Sequence, residues 1–196
     1  MLPYSTSIAF KEWAVTVRAL AQGKQVLLMR KGGIREEGRE FKVQHHEFLL
    51  YPTYEHQRAD LLQESYRLEY KPALEHLPNP SKIAFTHWAR VEETLELWDE
   101  ATLPLLQPFH IWTQDYAEKR LHWKPRKPLI LMLLRVYSLG IPQSVDFKPH
   151  YDGCKSWVAL DSQVSMGDPS PVLTDAQFHN GVLKVKDVLS LSSVKA

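Results

Sequence analysis

Leu129-Ile-Leu-Met-Leu-Leu-Arg-Val-Tyr137 is the stretch that decides the fold. It is apolar almost throughout, so neither face of an extended segment here can meet water. That pattern predicts a central strand covered on both sides. Pro128 precedes it and Gly140 follows it, which bounds the run. Its six consecutive aliphatic residues, Leu129 to Leu134, fall far short of the roughly 20 a membrane span needs. A buried strand requires neighbours and covering layers, and the rest of the chain must supply them.

Working outward, Lys82 to Val91 alternates: Ile83, Phe85, His87, Ala89 and Val91 fall on one face, so a strand is expected. Glu92 to Glu100 is ambiguous. Gln25 to Arg30 reads as a buried strand and Phe41 to Tyr51 as a second. Their link, Lys31 to Glu40, is rich in Gly and charge, so an early hairpin with a long loop is expected. Trp157 to Leu160 adds another strand. Residues 8–22 place Phe10, Trp13, Ala14, Val17, Leu20 and Ala21 at three- and four-residue steps, which predicts a helix started by Thr6 or Ser7 and closed by Gly23. Further helices are expected from about Tyr54 to Tyr70, with Thr53 as cap, and from Thr113 to Trp123, stopped before Pro125. The tail reads either as a helix after Thr174 or as a hairpin across Asn180-Gly181. The sum is an α/β or α+β fold: one domain over 1–196 with its core at about 8–190, a mixed sheet, an N-terminal helix, and helices packed on the sheet.

Composition narrows the classes. The 196 residues carry 24 Lys and Arg against 23 Asp and Glu, a formal charge of +1. That excludes a strongly cationic nucleic-acid coat but not a local basic groove. Apolar residues make up 44%, which argues against wholesale disorder. Cys154 is the single cysteine, so an internal disulfide and a thiolate metal cluster are both excluded. A lone thiol and a start without the basic and apolar regions of a secretory signal fit a soluble cytoplasmic protein with no membrane partner.

Four constellations carry candidate chemistry. His45, His46, Glu47 and His56 mix imidazole and carboxylate. His46, Glu47 or His56 would serve as base or metal ligand, although neighbours on a strand point to opposite faces. The plainer reading is polar groups bonding backbone at a strand end. Arg30 and Lys31 lead into Gly32-Gly33, where exposed amides and two cations suit a phosphate. No Walker spacing is present, and a charged loop explains the same residues. Five of the nine residues from Lys119 to Lys127 are Lys or Arg, with Trp123 among them and no acid. Arg120, Trp123, Lys124 and the later Arg135 therefore suit phosphate contact with base stacking. A solvated helix end explains the cations too. Last, Glu69-Tyr70-Lys71 and Asp146-Phe147-Lys148 match the acid-x-Lys pattern of a metal-dependent phosphodiesterase. Such triplets arise by chance in a chain with 24% charge.

Ordered motifs add a resemblance. Ala9-Phe-Lys-Glu-Trp-Ala14, Leu28-Met-Arg-Lys-Gly-Gly-Ile34 and His46-Glu-Phe-Leu-Leu-Tyr-Pro-Thr-Tyr-Glu-His-Gln57 come first. His110-Ile-Trp-Thr113, Trp123-Lys-Pro125 and Leu133-Leu-Arg-Val-Tyr137 follow. Together they resemble the bacterial domain of unknown function 1802 family, over roughly residues 8–190. The resemblance implies no catalytic residue and no cofactor. Some members look to be joined to or associated with a restriction-type endonuclease domain, which implies a nucleic-acid setting.

Three functions follow as expectations: a nucleic-acid or phosphate-ligand-binding accessory module, a metal-dependent phosphodiesterase, or a protein-interaction domain. The first expects Arg30, Lys31, His46, Glu47, His56, Arg120, Lys124 and Arg135 to meet at one end of the sheet, cations clamping an anion and His46 or His56 acting as base or ligand.

Overall fold

A computed structural model describes residues 4–31, 43–55, 57–75 and 81–193. They form an α+β fold of seven strands and five helices. The elements are β1 (Ser5–Trp13), α1 (Ala14–Ala21), β2 (Leu27–Arg30), β3 (Glu47–Thr53), α2 (Glu64–Glu75), β4 (Lys82–Leu97), α3 (Leu103–Leu106), α4 (Gln114–His122), β5 (Leu129–Asp146), β6 (Trp157–Ser165), β7 (Ser170–Pro171) and α5 (Asp175–Ser193). The sheet runs β2-β5-β4-β3-β1-β6, with β7 added to β5. It is mixed, because β1 pairs β3 in parallel while the other pairs are antiparallel.

The apolar run at Leu129–Tyr137 becomes the first half of β5 and is buried on both faces, as its composition requires. Leu129, Leu131 and Leu133 point to a layer of helices that includes Leu103, Leu106, Ala117, Leu121 and Val185. Met132, Leu134 and Val136 point the other way, to Phe10, Leu28, Phe48, Leu50, Ala89 and Val91. This second core joins residues of five strands on one face, so the sheet curls around it. The curl is tight enough that Arg30 on β2 donates through Nη2 to the Lys11 carbonyl on β1 at 2.6 Å, across the positions of three intervening strands. A third core, with Trp88, Tyr137, Phe85 and Tyr151, covers the convex face beyond the helices.

Several expectations need correction. Residues 8–13 belong to β1, and only Ala14–Ala21 is helical. The three- and four-residue spacing was shared between a strand carrying Phe10 and a short helix carrying Val17 and Leu20, and a short window does not separate the two periods. Thr6 caps nothing; its Oγ1 accepts from the Ile8 amide at 3.1 Å within the strand. Gly23 does close α1. Its φ of +67° suits glycine. Its amide reaches the Leu20 carbonyl, and that of Lys24 reaches Ala19, both at 3.0 Å, the paired bonds of a left-handed helix end.

The early hairpin does not form. β2 pairs β5, and β3 pairs β1 and β4, so the two strands expected to be partners stand apart in the sheet. Thr53 ends β3, donating its hydroxyl to the Glu12 carbonyl at 3.1 Å instead of capping a helix. The next helix begins at Glu64, after a 3-10 turn over Ala59–Leu61. β4 absorbs most of the ambiguous segment and reaches Leu97. A register shift between Val91 and Glu93 interrupts the alternation that would have revealed it. The tail is helical, and a Cβ at position 181 would meet Val26 at an ordinary contact distance of 3.5 Å.

Candidate nucleic-acid interface

Thr113 starts α4, its Oγ1 accepting the Tyr116 amide at 3.3 Å. Ala117 and Leu121 bury one face of the helix in the core. The remaining faces are polar. Lys119 pairs with Asp115 at 2.7 Å in solvent. Arg120 turns the other way: its Nε donates to the Tyr116 hydroxyl at 2.9 Å, and its guanidinium lies 5.1 Å from that ring centre. Tyr116 stacks on Trp112 at 4.5 Å, and Trp112 meets Trp13 edge-on at 4.8 Å.

Arg30 lies close by. It pairs with Glu12 at 2.8 Å, and its guanidinium covers Phe10 at 4.4 Å. Burial pushes the Tyr116 hydroxyl above the ordinary tyrosine range, and the charges of Arg120, Glu12 and Arg30 all act on it. Arg30 and Arg120 therefore share one electrostatic neighbourhood. They differ in commitment. Arg30 is held by a buried carboxylate, whereas Arg120 has no carboxylate partner among the described residues.

The chain leaves α4 through a turn with four cations or aromatics in five residues. The Lys127 amide reaches the Lys124 carbonyl at 3.0 Å. Lys124 has φ +60°, the one positive value at a non-glycine residue among those described. That backbone turns its ammonium back over Trp123, 4.4 Å from the ring centre. Trp123 is 40% exposed, and Arg126 and Lys127 are exposed beside it. Lys31, at the end of β2, fixes this turn. Its buried ammonium donates to the Leu121 carbonyl at 2.6 Å and also to the Lys127 carbonyl. Lys31 is thus spent on backbone and does not face a ligand.

Trp98 lies at the same end. Leu97 pairs with Leu129 in the β4–β5 ladder, so the chain at Trp98 continues from the strand end opposite Pro128. Glu100, two residues on, binds His122 at 2.9 Å. Trp98 is 58% exposed, and its Nε1 donates to Glu96 at 3.0 Å.

The other expected site residues lie elsewhere. His46 is exposed, and its carbonyl accepts from the Val91 amide at 2.8 Å. Its neighbour His45 meets Trp157 edge-on at 5.3 Å. Glu47 is 3.9 Å from Arg90 on the convex face. Arg135 is buried and committed to the start of α5, through Asp175 at 2.6 Å and the Thr174 carbonyl at 3.2 Å. His56 lies outside the described residues. The expected meeting of eight groups does not form among the described residues: Arg30 and Arg120 both act on Tyr116, and Lys31 binds the Leu121 and Lys127 carbonyls of α4 and its exit.

Among the described residues, the acids of the acid-x-Lys segments meet lysines and no second carboxylate. Glu69 pairs with Lys24, and Asp146 lies 3.9 Å from Lys82. Among the described residues no three His, Cys, Asp or Glu side chains are placed to hold a metal. None of the described helices is long and apolar enough to cross a membrane.

Sequence reasoning missed Glu12, Tyr116 and Trp98. The i to i+4 spacing of Tyr116 and Arg120 was a usable signal. Glu12 was hidden by the helix assigned to its segment, and Trp98 by the ambiguity after Val91.

A family model described as "Domain of unknown function (DUF1802)" matches residues 9–183. The chain belongs to the DUF1802 family. The match runs from Ala9 in β1 to Leu183 in α5, so the DUF1802 domain includes α4, its exit turn and Trp98. The curated proteins hold no match to it. Among solved structures it is similar to the ASCH protein of Zymomonas mobilis, with 12% identity, 78% of this chain and 86% of that chain covered, and a TM-score of 0.44. A serine-to-alanine mutant of that protein gives 12% identity, 81% and 91% coverage, and a TM-score of 0.43.

Proposed function

We propose that this DUF1802 domain is a nucleic-acid-binding accessory module that holds phosphates with the cations at the exit of α4 and stacks a base on Trp123. The observation that supports it is the Trp123–Lys124 pair: an exposed indole with an ammonium over one face, on a turn that also presents Arg126 and Lys127. A stacking surface beside several cations is what a nucleotide requires, because a base has a flat π-face and its phosphate needs positive charge within hydrogen-bond reach. The buried Lys31 holds the turn in place before any ligand arrives, so little order is lost on binding. Arg120, about one turn back on α4, adds a guanidinium with donors to spare.

The phosphodiesterase reading has less support, since its carboxylates pair with separate lysines and not with one another. Binding is tested by fluorescence anisotropy of labelled oligonucleotides at low salt. The wild-type domain binds, and Trp123→Ala weakens binding about tenfold, the size of one lost base–aromatic stack. Absence of binding to both single and double strands at low salt would remove the proposal.

A further inference from the structure

We infer that Trp98 is a second stacking platform and that the site takes unpaired nucleotides, two bases at a time, in preference to duplex. This rests on the reading just given and extends it to a class of ligand. Three observations carry it. Trp98 is more exposed than Trp123, 58% against 40%, although a large indole on a strand end would ordinarily be tucked against its neighbours. Its position is fixed from two directions: by the Leu97–Leu129 pairing beneath it, and by the Glu100–His122 bond that ties its loop to the end of α4. Its Nε1–H is held by Glu96, which sets the ring's orientation.

Charge is divided across this end of the molecule. Lys124, Arg126 and Lys127 lie on the Trp123 side, and Glu96, Asp99 and Glu100 flank Trp98. Phosphates are drawn to the first side and repelled from the second. A bound strand therefore runs its backbone along the Lys124–Lys127 turn and directs bases toward the acids and Trp98. The flat faces of paired bases are covered by their neighbours in a duplex, so two indoles find their partners only in a single strand.

The experiment compares a short labelled single strand with a hairpin duplex of the same composition, by anisotropy at low salt, for wild type, Trp98→Ala, Trp98→Phe and Trp123→Ala. Both alanine variants change exposed side chains, and thermal melting checks that they fold. The expected result is a stronger affinity of wild type for the single strand, an approximately tenfold loss for Trp98→Ala on that strand alone, and recovery of most of the loss by Trp98→Phe. If Trp98→Ala binds the single strand like wild type while Trp123→Ala is weakened, the second platform is overturned and the binding function stands. If wild type binds no oligonucleotide, the binding function itself fails. If Trp98→Ala abolishes self-association of the protein and leaves oligonucleotide affinity unchanged, the surface docks protein, and the inference is overturned in favour of that partner.

Discussion

His110 shows how a single buried imidazole sets the response to acid. It is 1% exposed, its Nδ1 accepts the Trp112 amide at 3.2 Å, and its Nε2 has no partner among the described residues. Burial pushes its pKa down to about 4, from 6.5 when unfolded. Between these values the unfolded chain carries a proton there that the folded chain refuses. Stability therefore falls as pH drops from about 6.5 to 4, by about 3 kcal/mol in all, and this contribution is flat above 7. Urea midpoints at several pH values measure it. The variant His110→Leu loses this part of the slope whatever its absolute stability, and an unchanged slope would show that other groups cause it. Arg135 teaches the opposite lesson at the same scale. Its cationic type suggested a ligand, but its partner Asp175 lies 40 residues further along, and nothing local in the sequence announces that pairing.

At the level of elements, each stretch was legible in proportion to how completely its own residues determine it. β5 was readable because an apolar run leaves water no face to contact. α4 was readable because Thr113, the charged first turn and Pro125 mark both its ends. β1 was not, because Phe10 and Trp13 are a helical step apart, although in the strand they enter different cores, and the decision belongs to partners on β3 and β6. The pairing of β2 with β5 likewise depends on contacts about a hundred residues apart in the chain. The candidate site followed the same rule. Its cations and Trp123 were visible as a cluster, while the tether that shapes it, Lys31 to the exit of α4, read as a phosphate-holding cation because its carbonyl partners lie about ninety residues away. That tether makes a prediction about elements. The substitution Lys31→Met leaves the Leu121 and Lys127 carbonyls without their donor, lowers stability by about 2 kcal/mol and weakens oligonucleotide binding, although the residue faces no ligand. Chemical denaturation and anisotropy on the same variant check both. Full affinity in a destabilised variant would show that the turn holds its shape unaided.

The whole molecule carries a net charge of only +1, so its net charge adds little long-range attraction to nucleic acid. On the proposed reading, attraction comes from a few cations near the exit of α4: Arg120, Lys124, Arg126 and Lys127. That places a limit on their number and hence on how affinity depends on salt. Each phosphate neutralised on a single strand contributes about −0.7 to the slope of log affinity against log salt, so about three contacts give about −2. The decisive measurement is that slope, taken by anisotropy on a labelled single strand across a range of salt concentrations. A slope near −2 that becomes shallower in Lys124→Ala is the result expected. An affinity that does not change with salt, or a slope unaltered by Lys124→Ala, would mean that this surface does not hold phosphates.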